Sequence, residues 1–237
     1  MKIKTASFVL IGIGLGALVA GSAKAASSVA ADASDPYYQI ESVVVQEVTG
    51  TAQDPFLDVK DVSPLYSSSV ENSTEAVSLS TMINTGRQIW AIVEANKPVV
   101  NIQMNHADAL PEGVKGWESL QNWSAPHSHT YRVSYKNLYG MTVVDFSFRL
   151  TYSYGGNIKG VGRYLANVSI TTANVSVLWG YTFNAKVNIP NVLNVGSSAS
   201  PVAGMEIQVK WSTDTVIKHS ETSANFSLNG AGAFKML

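Results

Sequence analysis

Residues 143–152 read Val-Val-Asp-Phe-Ser-Phe-Arg-Leu-Thr-Tyr. Val144, Phe146, Phe148, Leu150 and Tyr152 alternate with Val143, Asp145, Ser147, Arg149 and Thr151. Successive side chains of a β-strand point to opposite faces, so this period of two predicts a strand with one apolar and one mostly polar face. The pattern returns downstream. Val175, Val177, Trp179, Tyr181, Phe183, Ala185, Val187 and Ile189 alternate with Ser176, Leu178, Gly180, Thr182, Asn184, Lys186 and Asn188, which puts Trp179 on the apolar face of a strand. Met205, Ile207, Val209 and Trp211 alternate with Glu206, Gln208 and Lys210, and Ala224, Phe226 and Leu228 with Ser223, Asn225 and Ser227. Four successive strands are predicted at about 130–139, 142–154, 163–173 and 175–189, with reversals at Tyr139-Gly140 and Tyr154-Gly155-Gly156-Asn157.

Working outward from this centre, residues 40–48 form a first β-rich run, and residues 49–72, with Pro55, Pro64 and a serine run, read as a loop. Leu79, Met82, Ile83, Gly86, Ile89, Trp90 and Val93 recur at steps of three and four and predict an amphipathic helix over about 74–96. Asn72 and Glu75 resemble a capping box, and Asn96 and Pro98 supply the stop. Residues 98–104 read as a further strand, and residues 106–123 as a long connection with room for one helical turn. The expectation is a mainly β protein: an antiparallel β-sandwich of about eight strands with one helix packed on it. An eight-stranded outer-membrane barrel is disfavoured, because the positions in phase with Leu237 are Lys235, Ala233, Ala231 and Asn229, which make no lipid-facing stripe.

The N-terminus carries a different message. Lys2 and Lys4 precede an apolar run over 8–20, and Ala23-Lys24-Ala25 fits an A-x-A cleavage site, so residues 1–25 read as a secretory signal peptide. Residues 26–36 read as a flexible linker and 37–237 as a single domain. The apolar run is too short for a transmembrane anchor, so no spanning segment is expected after cleavage. Removal of the leader takes three of the 16 basic residues and no acidic one, leaving 13 against 17. A mildly acidic exported chain lacks the basic surface that phosphate neutralisation requires, so nucleic acid is not an expected partner. The chain has no cysteine. Stability must then come from the core, and thiol catalysis and Cys-based zinc sites are excluded.

Candidate chemistry is sparse. His127 and His129 are an i, i+2 pair on a predicted strand, so both imidazoles face one way; His106 and Asp108 form a second such pair. Together the four could supply nitrogen and oxygen ligands to a divalent metal, the only cofactor the sequence suggests. Asp54, Asp58 and Asp61 do not have the spacing of a calcium loop. Gly155, Gly156, Gly160 and Gly162 lie between two β-runs and read as a hairpin loop, not a phosphate cradle. Tyrosines and tryptophans gather around strand ends, where they serve packing or contact with sugars and membranes. A helix followed by a cysteine-free sandwich is similar in layout to small pore-forming cytolysins, although no motif is shared and no residue carries over. The expected function is a non-enzymatic binding or structural role in the envelope or outside the cell, towards a protein, glycan or envelope surface. A metal-dependent or carbohydrate-active hydrolase and a membrane-active secreted protein are the alternatives.

Overall fold

The computed structural model describes residues 35–48, 77–99 and 105–237. The predicted leader, almost all of the predicted linker, the 49–72 loop with Asp54, Asp58 and Asp61, and the proposed cap at Asn72 and Glu75 lie outside them. Thirteen strands run through the described residues: Ile40–Glu47 (β1), Ser78–Ile83 (β2), Ile89–Glu94 (β3), Lys97–Pro98 (β4), Ala107–Glu112 (β5), His127–Asn137 (β6), Thr142–Ile158 (β7), Val161–Val177 (β8), Tyr181–Asn188 (β9), Val192–Asn194 (β10), Ala203–Thr215 (β11), His219–Asn229 (β12) and Phe234–Met236 (β13). Every pairing between them is antiparallel.

They make two sheets. One has six strands in the order β1-β6-β7-β8-β5-β2; the other has seven, ordered β13-β12-β11-β9-β3-β4 with β10 beside β11. The inward faces meet through the alternation already visible in the sequence. Phe146 on β7 packs against Phe183 on β9 at 5.0 Å between ring centroids, and Tyr131 on β6 against Phe226 on β12 at 4.8 Å. Trp211 donates its indole N–H to the Tyr135 hydroxyl at 2.8 Å, and Trp90 donates to the Ile170 carbonyl at 3.3 Å. Each buried indole thus finds a partner in the opposite sheet, as a polar group removed from water requires.

The expected helix over 74–96 is not formed. Residues 77–96 instead make β2, a turn and β3. The residues between the strands explain the change. Asn84 turns the chain by accepting the Gly86 N–H on its side-chain oxygen at 2.9 Å. A Cβ at Gly86 would lie 2.3 Å from the His106 carbonyl, so glycine is needed for close approach and not as a neutral helix residue. The run Ile89-Trp90-Ala91-Ile92-Val93 is β-branched and aromatic, which suits a strand. A register shift between Ala91 and Val93 puts Ile92 and Val93 both in the core, and that break of alternation imitated a helical step. Asn96 stops nothing helical. Ala95 and Asn96 have φ of 45° and 68°, the two-residue hairpin turn that links β3 to β4. Loss of the helix also removes the layout on which the similarity to cytolysins rested.

Other boundaries move. Of the strand expected at 98–104, Pro98 belongs to the short edge strand β4, where a missing N–H is tolerated, and 100–104 lie outside the described residues. The 106–123 connection contains β5, whose first five residues are all buried, as well as the anticipated helical turn at Trp117–Ser119. β7 continues through Gly155 and Gly156 and reverses at Lys159-Gly160 (φ 51° and 83°). Gly156 is bare because Trp123 lies on it: a Cβ there would sit 2.4 Å from the indole. β8 runs unbroken to Val177, and its reversal comes at 178–180.

Candidate functional site

Outward-pointing residues of the seven-stranded sheet, with the edges of the buried Val93, Ala185 and Trp211 between them, line a shallow groove of about 510 Å³ across β3, β9, β11 and β12. Alternation decides its chemistry. On β9, Phe183, Ala185 and Val187 turn inward, so Asn184 and Lys186 turn out; on β11, Val209 and Trp211 turn inward, so Gln208, Lys210 and Ser212 turn out. Register then sets neighbours. Lys186 stands directly opposite Lys210, with Ala91 beyond it on β3 and Ser223 beyond Lys210 on β12. Glu94 on β3 and Glu221 on β12 also line the groove. Like charges directly opposite one another in a sheet repel. Neither lysine makes an ion pair with a carboxylate among the described residues. Two exposed ammonium groups side by side, with amides and hydroxyls around them, form a cradle for an anion bearing several hydrogen-bonding groups.

Asp108 is 2 % exposed and sits at a register shift between Ala107 and Ala109 in the β5–β8 pairing. One carboxylate oxygen accepts the Asn167 N–H at 2.8 Å; the other accepts the Thr85 hydroxyl at 3.2 Å and lies 3.4 Å from His106 Nε2. Its own N–H goes to the Asn84 side chain at 3.1 Å. Asp108 therefore ties the 84–87 turn to β5 and to β8, where Asn167 takes the left-handed φ of 54°. Burial pushes its carboxyl above the ordinary value, against the lowering effect of the Asn167 N–H.

His127 and His129 share the inward face at the start of β6, as their spacing predicts, and both pack on aromatic rings. His129 is stacked on Phe234 at 3.9 Å between centroids, and its Nδ1 is 2.8 Å from Glu47 Oε1. His127 lies 5.0 Å from the Tyr154 ring. The structure brings His106 to Asp108 but holds the two pairs apart. β7 and β8 lie between β6 and β5, which places the pairs three strand spacings, or about 14 Å, from each other. Among the described residues no group of three or more His, Asp or Glu side chains is placed to hold a metal ion.

Compared with protein families, with curated proteins and with solved structures, the chain matches none. The site must therefore be read from its own residues. Lys186 and Lys210 were visible in the sequence as outward positions of alternating strands. What was missing was the pairing of β9 with β11, which crosses the β10 excursion and alone puts the two charges side by side.

Proposed function

We propose that this protein is an exported, non-enzymatic binding module whose site is the groove over Lys186 and Lys210, and whose ligand is an acidic glycan of the envelope or exterior. The observation that carries the reading is the in-register lysine pair without carboxylate partners among the described residues. A sheet that tolerates this repulsion gains from it when an anion bridges the two ammonium groups. Asn184, Gln208, Ser212 and Ser223 around the pair suit the hydroxyls of a sugar chain. The export half of the proposal rests on the charged, apolar and A-x-A sequence of residues 1–25. Intact mass of the protein purified from cells tests it: the expected chain begins at Ala26, and one that keeps Met1 contradicts export with processing.

Calorimetric titration with polygalacturonate, and with neutral dextran beside it, tests the ligand. The acidic polymer should bind, more weakly as salt rises, and K186Q/K210Q should lose about tenfold or more in affinity, the size of a lost charge-assisted contact. Equal binding of dextran, or an unchanged double variant, would overturn the reading. Release of reducing ends from the polymer would instead favour the carbohydrate-active hydrolase reading.

A further inference from the structure

A second surface lies at one end of the sandwich, on the turns beyond the groove. Three reversals meet there. Residues 138–141 join β6 to β7, residues 178–180 join β8 to β9, and residues 216–218 join β11 to β12. Their adjacency follows from register. Val144 pairs with Val177, so the first two reversals flank each other, and Leu178 donates its N–H to the Val143 carbonyl at 2.9 Å. Thr215 pairs with Tyr181, which puts the third beside the second.

The three turns carry Trp179 at 82 % exposure, Val216 at 66 %, Tyr139 at 62 %, and Leu138, Met141 and Leu178 at 38–48 %. Turns are ordinarily polar, and a group of large apolar side chains in water is unfavourable unless something covers them. The backbone beneath them is firmly held. Tyr37 donates its hydroxyl to the Trp179 carbonyl at 2.7 Å, and Leu138 donates its N–H to the Gln39 carbonyl at 3.1 Å, so residues 37–39 brace both turns. Gly180, at φ +83°, packs against the Tyr38 ring, and a Cβ there would come within 2.9 Å of it.

We propose that this end docks on a lipid bilayer, with Trp179 and Tyr139 seated in the interfacial zone. Shape favours that occupant. The side chains stand on three reversals at one end, with Trp179, Val216 and Tyr139 more than 60 % exposed, and side chains so far out of any groove need a complementary pocket in a protein partner but none in a bilayer. Chemistry favours it too, since Trp and Tyr partition to the boundary between headgroups and hydrocarbon while Leu, Met and Val enter the apolar side. Charge agrees. Asp214 is bonded to His219, and the Asp35 carboxylate accepts the Tyr37 N–H at 2.8 Å. Glu94 and Lys97 face each other across the β3–β4 turn. Lys97, Lys136 and Lys218 make no ion pair among the described residues and outnumber Glu41 and Glu94, the carboxylates at this end that also make none, so a small positive excess is left to meet lipid phosphates.

Sedimentation of the purified protein with phosphatidylcholine vesicles, with and without phosphatidylglycerol, tests the inference. The protein should bind both, more tightly when anionic lipid is present. W179A/Y139A should lose about tenfold or more in partitioning, as expected for two aromatic side chains withdrawn from the interface. Val195→Ala, exposed in the loop at the other end, should bind as the parent does. Quenching by brominated lipid supplies a measure that does not depend on loss of binding: Trp179→Phe should still bind but lose most of the quenching. No binding to either vesicle, or unchanged quenching in Trp179→Phe, would overturn the proposal. So would self-association, or retention on an insoluble glycan, that W179A/Y139A abolishes while vesicles are ignored.

Discussion

Asp108 is a carboxylate whose surroundings oppose its charge. Because its pKa is raised on folding, the folded state binds the proton more readily than the unfolded chain. Stability contributed by this group therefore grows as pH falls through the raised value towards the ordinary 3.8, the reverse of an ion-paired carboxylate. Urea unfolding at pH 7 and pH 4 should accordingly find the parent gaining on Asp108→Asn as the pH is lowered. Asp108→Ala at pH 7 strands the Asn167 N–H and should cost about 1–3 kcal/mol. Trp90, 4 % exposed and bonded to Ile170, is a core residue although the helix that was to carry it does not exist. Trp90→Ala should cost about 3–5 kcal/mol, while Arg87→Ala, exposed, should change little; thermal melts of the two beside the parent check both. Burial of Trp90 was expected from an apolar helical stripe and arises instead from the inward face of β3; apolarity alone does not decide it, since Trp179 is 82 % exposed. The tie from Asp108 to Asn167 was not legible, since it depends on a register shift that leaves no trace in residue type.

Long regular runs were the legible elements: β6, β7, β11 and β12 fall close to their expected positions because alternation over eight or more residues has few competing readings, whereas the expected strand at 175–189 ran across the 178–180 reversal and took Trp179 for a core position. Short elements between breakers were misread. Gly155 and Gly156 look like a turn, but Gly155 serves a left-handed φ of 85° within β7 and Gly156 is bare so that Trp123 can cover the strand, while Lys159-Gly160 makes the actual reversal. The β3–β4 turn offers a sharp test. Asn96 accepts the Phe183 N–H at 2.6 Å and donates to the Tyr181 carbonyl at 3.0 Å, so it fastens the turn to β9. Asn96→Gly keeps the left-handed backbone and loses both bonds, for about 1–3 kcal/mol. Asn96→Ala adds about 1 kcal/mol of backbone strain. Chemical denaturation should rank parent, Gly variant and Ala variant in that order, and equal stability of the two variants would deny the strain.

Two sheets facing one another, without a disulfide and with aromatic rings bridging the layers, are what the alternating pattern and the absence of cysteine together anticipated. Which strand neighbours which was beyond the pattern, because periodicity fixes a strand's faces and not its partner. Both proposed surfaces depend on that missing information: the lysine pair on β9 beside β11, and the apolar group on three turns brought to one end. Far-ultraviolet circular dichroism checks the whole: a strand spectrum is expected, and a pronounced helical double minimum would contradict the architecture.

The order of pairing bears on how the chain is made. β7 and β8 meet across a two-residue turn and can zip as soon as both exist. β1 must wait for β6, with Ile40 opposite Asn137, and β3 for β9, with Ile89 opposite Asn188. Closing such long loops is slow, and a strand cannot pair with a partner not yet synthesised. β1 thus emerges from the ribosome without its partner until residue 137 has followed, and β3 without β9 until residue 188 has. Assembly of both sheets therefore waits for the second half of the chain, so the topology itself delays folding past the moment at which an exported chain would be engaged.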